Sequence, residues 1–136
     1  MSEDPAGEGA RVGDAAADRI VPKPWGRERI WAHTDRYVGK VITIRAGQRL
    51  SLQKHRMKDE WILIQSGRLS LHHGADQGSM AVEVLGPGMQ WHIPVGLIHR
   101  FEATDEDVEL IEISTPELDD VVRLEDDYGR EGTNAP

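Results

Sequence analysis

Two imidazoles, a carboxylate and a carboxamide stand in this chain at spacings that would let them share one divalent cation: Gln53, His55, Glu60 and His99. Gln53 and His55 are two residues apart, so on a strand both side chains leave the same face and can converge on one ion. Glu60 follows after the turn Arg56-Met57-Lys58-Asp59, and His99 comes from a later strand. The stretch from Gly47 to Gly67 reads G-x5-Q-x-H-x4-E-x6-G, and that from Gly88 to His99 reads G-x5-P-x-G-x2-H. There is no cysteine, so nitrogen and oxygen must supply every ligand. Such a set suits Zn(II) and tolerates Mn(II), Fe(II), Co(II) or Ni(II); the residues alone do not choose among them. Four protein ligands leave positions open on the ion, as a catalytic rather than a closed structural site does. His72 and His73 are neighbours and would face opposite ways on a strand, so they cannot both reach one ion. His33 and His92 receive no role.

The elements that would position these groups are short strands. Tyr37 to Arg45 alternates, with Val38, Lys40, Ile42 and Ile44 on one side. A strand from Arg49 puts Ser51, Gln53 and His55 on one face and Leu50 and Leu52 on the other. Glu60 to Ile64 returns as an apolar strand. Arg68 to His72 and Ala81 to Leu85 read as a hairpin, followed by Gln90 to Ile93, Ile98 to Glu102 and Val108 to Ser114. Close-spaced turns with no long helical period predict an all-β sandwich or barrel. One exception is expected: Pro116 to Asp127, with Leu118, Val121, Val122 and Leu124, reads as a short C-terminal helical segment. Residues 1–20, poor in apolar periodicity, are expected to form a disordered tail, residues 21–130 a single domain, and residues 131–136 a frayed end.

At 136 residues the chain suffices for one core, and its net charge of −8 argues against nucleic acid as a partner. The charge is uneven: residues 1–20 carry −3, residues 21–101 carry +6 and residues 102–136 carry −11. A cationic middle containing the ligand motif would suit an anionic small molecule. No leader and no bilayer-spanning apolar run is read, so the expectation is a soluble cytoplasmic protein with no membrane partner. A homodimer is expected, because sheet edges and an outward Leu50, Leu52 and Leu63 would need cover.

The two glycine-bounded motifs resemble those of the cupin family, with Gln53 where most cupins have their first histidine. Leu50-Ser51-Leu52-Gln53 with His55, Glu60 and Trp61, then Ile93-Pro94-Val95-Gly96-Leu97-Ile98-His99-Arg100, is similar to the C-terminal cupin domain of type II mannose-6-phosphate isomerases. Lys23-Pro24-Trp25-Gly26 resembles the opening of that domain, and Asp120 to Arg130 its closing stretch. The resemblance implies a cupin double-stranded β-helix, a jelly-roll barrel, holding one divalent metal, zinc by analogy. It implies isomerisation of a phosphosugar, in which a proton moves between C1 and C2 while a metal stabilises the developing oxyanion. Glu60, Lys58 and Arg130 are then the catalytic candidates, with Glu102 a further proton carrier to consider. Arg123, Arg130, Arg100 and Lys23 are the candidates for binding an anionic sugar. Nothing in the chain resembles the nucleotidyltransferase domain to which such cupins are often fused. A stand-alone cupin could instead act as a small-molecule oxygenase or as a non-catalytic sugar-binding module.

Overall fold

The computed structural model describes residues 18–136. Their strands are β1 (Arg19–Lys23), β2 (Gly26–His33), β3 (Val38–Ile44), β4 (Leu52–Lys54), β5 (Glu60–Ser66), β6 (Leu69–Gly74), β7 (Ala81–Leu85), β8 (Gln90–Ile93), β9 (Ile98–Ala103), β10 (Val108–Ser114) and β11 (Val122–Glu125). They form two antiparallel sheets, one of six strands in the order β1-β2-β3-β10-β5-β8 and one of five in the order β11-β4-β9-β6-β7. The all-β expectation therefore holds. Strand alternation builds the core between the sheets: Ile42 and Ile44 from β3, Ile62 and Ile64 from β5, Leu69 and Leu71 from β6, Phe101 from β9 and Leu110 from β10 are all buried there. Trp25 belongs to the same cluster.

The expected C-terminal helical segment is absent. Pro116 to Val121 runs through turns, and β11 then pairs with β4, Val122 opposite Lys54 and Arg123 opposite Gln53. The open edge of β4 offers unpaired backbone groups, and this segment satisfies them; β-branched Val121 and Val122 suit a pleated edge better than a helical turn. A second departure lies at the N-terminus. The expected tail falls mostly on residues 1–17, outside those described, but Arg19 and Ile20 open β1, which pairs with β2. β2 escapes a sequence reading because charged Arg27, Glu28 and Arg29 interrupt its apolar pattern. At the other end, the Gly132 N–H donates to the Arg123 carbonyl and Arg123 Nη1 donates to the Thr133 carbonyl, at 3.2 and 3.1 Å.

Leu50 and Leu52 do not need the outside cover expected for them, because both are buried. Leu50 lies within the main cluster, since regular strand geometry begins only at Leu52 and parity does not govern the residue before it. Of the three leucines, Leu63 alone is exposed.

Gly67 closes the turn between β5 and β6 with φ of +78°, and a Cβ there would lie 2.2 Å from the Asp107 carbonyl oxygen. Backbone on both sides leaves nothing flexible to yield. Gly67→Ala should lower unfolding free energy by roughly 2–4 kcal/mol, read as a reduced urea midpoint with an unchanged slope.

Candidate metal centre

β4 and β9 pair at a single register point, Gln53 opposite His99, which places the Q-x-H strand beside the strand that carries the second imidazole. β5 arrives from the opposite sheet with Glu60 facing inward. The consequence is that ligand atoms of His55, Glu60 and His99, all three buried, lie within 4.8 Å of one another. Glu60 Oε2 stands 2.5 Å from His55 Nε2 and 3.5 Å from His99 Nε2.

Their outer contacts fix what these atoms can do. His55 Nδ1 lies 2.5 Å from the Asp120 carbonyl and His99 Nδ1 lies 2.9 Å from the Leu97 carbonyl. A carbonyl only accepts, so each Nδ1 must donate, and the neutral ring then carries its lone pair on Nε2. His55 Nε2, His99 Nε2 and Glu60 Oε2 are buried without a hydrogen-bond partner. Three acceptors converge with no donor among them, and a cation is the group that satisfies all three. The residues present therefore fit one divalent metal. Asp120 also fixes the turn carrying these ligands, its carboxylate accepting the N–H groups of Arg56, Met57 and Lys58 at 2.7–3.0 Å.

A row of buried charge surrounds the triad. Lys58 Nζ sits 3.8 Å from Glu60 Oε1 and 4.0 Å from Glu112 Oε2, and Lys40 Nζ lies 2.9 Å from Glu28 Oε1. Burial opposes ionisation of Glu60, but the neighbouring Lys58 charge, with the Glu112 carboxyl as a hydrogen-bond donor, outweighs it and holds the carboxyl well below the usual range. Burial pushes Glu112 the other way, well above that range, with the Glu60 charge adding to the effect and Lys58 and Lys40 opposing it. Two neighbouring carboxyls are thus driven apart, one ionised and one protonated.

A cleft opens beside the triad. It encloses about 470 Å³ including its mouth, and Gln53, His55, Lys58, Lys23, Arg123 and Arg130 are among its lining residues. Lys40 and Glu28 complete its charged wall. Gln53 Oε1 accepts the Ser51 hydroxyl at 2.9 Å. Arg123 is buried, and its Nε has no partner. Arg130 is gripped by both oxygens of Asp126, at 2.8 and 2.9 Å. Burial lowers the Lys23 pKa, and Lys40, Arg123 and Arg130 lower it further against the pull of Glu28.

Not every sequence-assigned residue comes to this place. Arg100 is buried but turned away: its Nε donates to the Leu50 carbonyl at 2.8 Å, because β9 sends His99 inward and therefore Arg100 outward. Glu102 shares the Arg100 face and meets His72 at 2.8 Å. His73 does point the opposite way from His72, to Glu83. The sequence reading missed Glu112, Lys40 and Glu28. A signal existed for two of them: Glu112 and Lys40 each occupy an inward position within an otherwise apolar alternation.

Comparison with known proteins follows the same lines. The family described as mannose-6-phosphate isomerase, C-terminal, matches residues 12–126. The chain is 33% identical over 121 residues to the xanthan biosynthesis protein XanB of Xanthomonas campestris pv. campestris, spanning 86% of this chain and 25% of that protein. It is 34% identical over 116 residues to mannose-1-phosphate guanylyltransferase of Escherichia coli, spanning 82% of this chain and 23% of that one. The chain thus covers about a quarter of the length of these curated relatives. Among solved structures, the capsular polysaccharide assembling protein CapF of Staphylococcus aureus superposes with a TM-score of 0.69 at 20% identity, over 79% of this chain and 34% of CapF. Oxalate decarboxylase of Bacillus subtilis gives 0.70 at 17% identity, over 80% and 30%. At these identities the structures share the fold.

Zinc-loaded protein should carry about one ion per chain by elemental analysis, and His99→Ala should carry almost none. Asp120→Ala frees three backbone N–H groups and the turn behind His55, and should weaken zinc binding by roughly ten-fold or more in a competition titration.

Proposed function

Because the chain belongs to the mannose-6-phosphate isomerase C-terminal family and has the cupin fold, we propose that it is a metal-dependent aldose–ketose isomerase of a phosphosugar, mannose 6-phosphate and fructose 6-phosphate being the lead pair. The observation that carries this reading is the cleft, which sets ligand residues Gln53 and His55 against the cations Lys23, Arg123 and Arg130 in one small space. A buried guanidinium with an unpartnered Nε and a lysine whose pKa is lowered by burial and then by neighbouring cations both gain from a phosphate, which accepts several charge-assisted hydrogen bonds at once.

His55, Glu60 and His99 would hold the metal, with Gln53 as the fourth ligand, and zinc is the first choice for this donor set. When bound, the ion would supply Lewis-acid polarisation of the sugar oxygens at C1 and C2. Glu60 stays ionised and serves as ligand. Lys58, which lines the cleft between Glu60 and Glu112, is assigned the proton transfer at its Nζ. Arg123 and Lys23 take the phosphate, and Arg130, fixed by Asp126, completes the positive wall and orients the sugar. Shielding by the cleft strengthens each of these contacts relative to water. The setting we assign is cytoplasmic and soluble, where sugar phosphates occur.

A coupled assay of zinc-loaded protein on mannose 6-phosphate and related aldose phosphates should show turnover. Lys58→Met should reduce kcat by roughly 10²-fold or more with metal retained. Arg123→Ala should act mainly on KM. Metal-loaded protein that consumes oxygen with a small organic substrate, or that binds sugar phosphates without converting any, would replace this reading with an oxygenase or with a sugar-binding module.

A further inference from the structure

Glu28 is an acid in a wall of cations. It faces the inside of β2, between the buried Gly26 and Ile30 and opposite the buried Ile42 of β3, where an apolar side chain would serve the core. Arg27 and Arg29 on either side of it are exposed. Lys40, two positions from Ile42 on β3 and on the same face, donates to Glu28 Oε1 at 2.9 Å. Burial opposes ionisation of Glu28, but the Lys40 and Lys23 charges outweigh it and hold the carboxyl below the usual range. A buried ion pair costs desolvation that two apolar side chains would not, so stability does not account for it. Attraction of an anion does not account for it either, because a carboxylate here weakens the field of Lys23, Lys58, Arg123 and Arg130 in the same cleft.

What accounts for it is the hydrogen bonding of the rest of the lining. Lysine and arginine side chains only donate, and so does the Trp25 indole. Gln53 Oε1 is already taken by the Ser51 hydroxyl, and the His55 Nε2 lone pair is turned toward Glu60 and His99. Among the described residues that line the cleft, Glu28 is the carboxylate. A phosphate ester dianion only accepts and has no use for it, whereas a hydroxyl also donates and needs an acceptor. Glu28 is placed for such a group: the charge of Lys23 reaches it from the phosphate side of the cleft and that of Lys58 from the metal side. A second hollow, about 550 Å³ including its mouth, shares Lys23, Glu28, Lys40 and Arg123 with the cleft, so this wall is open to a ligand along its length. On the basis of the phosphosugar function proposed above, we propose that Glu28 is a specificity-determining residue for the ligand's hydroxyls. Its carboxylate, oriented by Lys40 through Oε1, accepts a hydrogen bond at Oε2 from the hydroxyl on C3 or C4, while Arg123 and Lys23 take the phosphate and the metal side takes C1 and C2. The ligand class is thereby a phosphorylated polyhydroxy chain and not phosphate esters at large.

The test is calorimetric titration of the zinc-loaded full chain and of Glu28→Gln, which keeps the shape of the side chain and an oxygen for Lys40 while removing the charge. The probes are the reduced sugar mannitol 6-phosphate, which cannot be isomerised, its 3-deoxy and 4-deoxy counterparts, and n-hexyl phosphate. By its field alone, loss of a carboxylate from a cationic cleft tightens every anion. The expected responses are opposed: Glu28→Gln leaves hexyl phosphate unchanged or tighter and weakens mannitol 6-phosphate by roughly ten-fold. In the wild type one of the two deoxy probes should bind about ten-fold more weakly than mannitol 6-phosphate, and in Glu28→Gln that penalty should vanish. Lys40→Met, which frees the carboxylate, carries the same loss of the deoxy penalty should Glu28→Gln fail to fold. Opposed responses without turnover of any aldose phosphate would keep Glu28 in this role and remove the isomerase. A wild type indifferent to both deoxy probes, a penalty undiminished in Glu28→Gln, or equal shifts for all four probes would overturn the proposal, even in a protein that turns over mannose 6-phosphate.

Discussion

Three buried acceptors aimed at one point are held together by everything around them and satisfied by nothing among them. His55 Nε2, His99 Nε2 and Glu60 Oε2 would repel at the distances observed, and each has lost its water. That arrangement persists because other bonds over-determine it. The Asp120 and Leu97 carbonyls lock both rings, the Asp120 carboxylate locks the turn, and the β4–β9 register point sets the strands. A cation entering such a site would find its three acceptors already gathered, and its binding energy would add to the stability of the folded form alone.

The charges behind the triad follow from the same constraint. Buried ion pairs seldom repay their desolvation in stability, so Lys40–Glu28 and Lys58–Glu60–Glu112 are poor explanations for why this barrel folds. They explain better what it can do. An ionised Glu60 next to a protonated Glu112, with Lys58 within about 4 Å of both, gives proton donors and acceptors a fixed order behind the cleft wall that Lys58 lines.

The convergence of His55, Glu60 and His99 was legible in the sequence because strand geometry turns spacing into direction. The turn after His55 is short enough to return Glu60 to its side. Other features depend on partners far away in the chain. Whether Val121 to Glu125 coils or extends is decided by the free edge of β4, some 70 residues earlier, and no local pattern records that. Leu50 reads as outward by strict alternation, yet the chain is not in strand geometry at that position, so parity misplaces it. Arg100 shows the reverse. Beside His99 it looks like part of the site, but alternation alone would have turned it out of the barrel.

Parity also ties the inside of the barrel to its outside. On β5, Glu60, Ile62 and Ile64 face in while Trp61 and Leu63 face out; on β10, Leu110 and Glu112 face in while Ile113 faces out. Glu60 and the apolar outer stripe are therefore opposite sides of the same two strands. A slip of one residue would put Trp61 in the core and Glu60 in water, losing both at once. A strand lining a site needs its inner residues fixed, and on β5 these are the acid beside His55 and His99 and two isoleucines of the core. The outward Trp61 and Leu63 pack across the strands instead, Trp61 beside Ile113 and Leu63 beside Ile111.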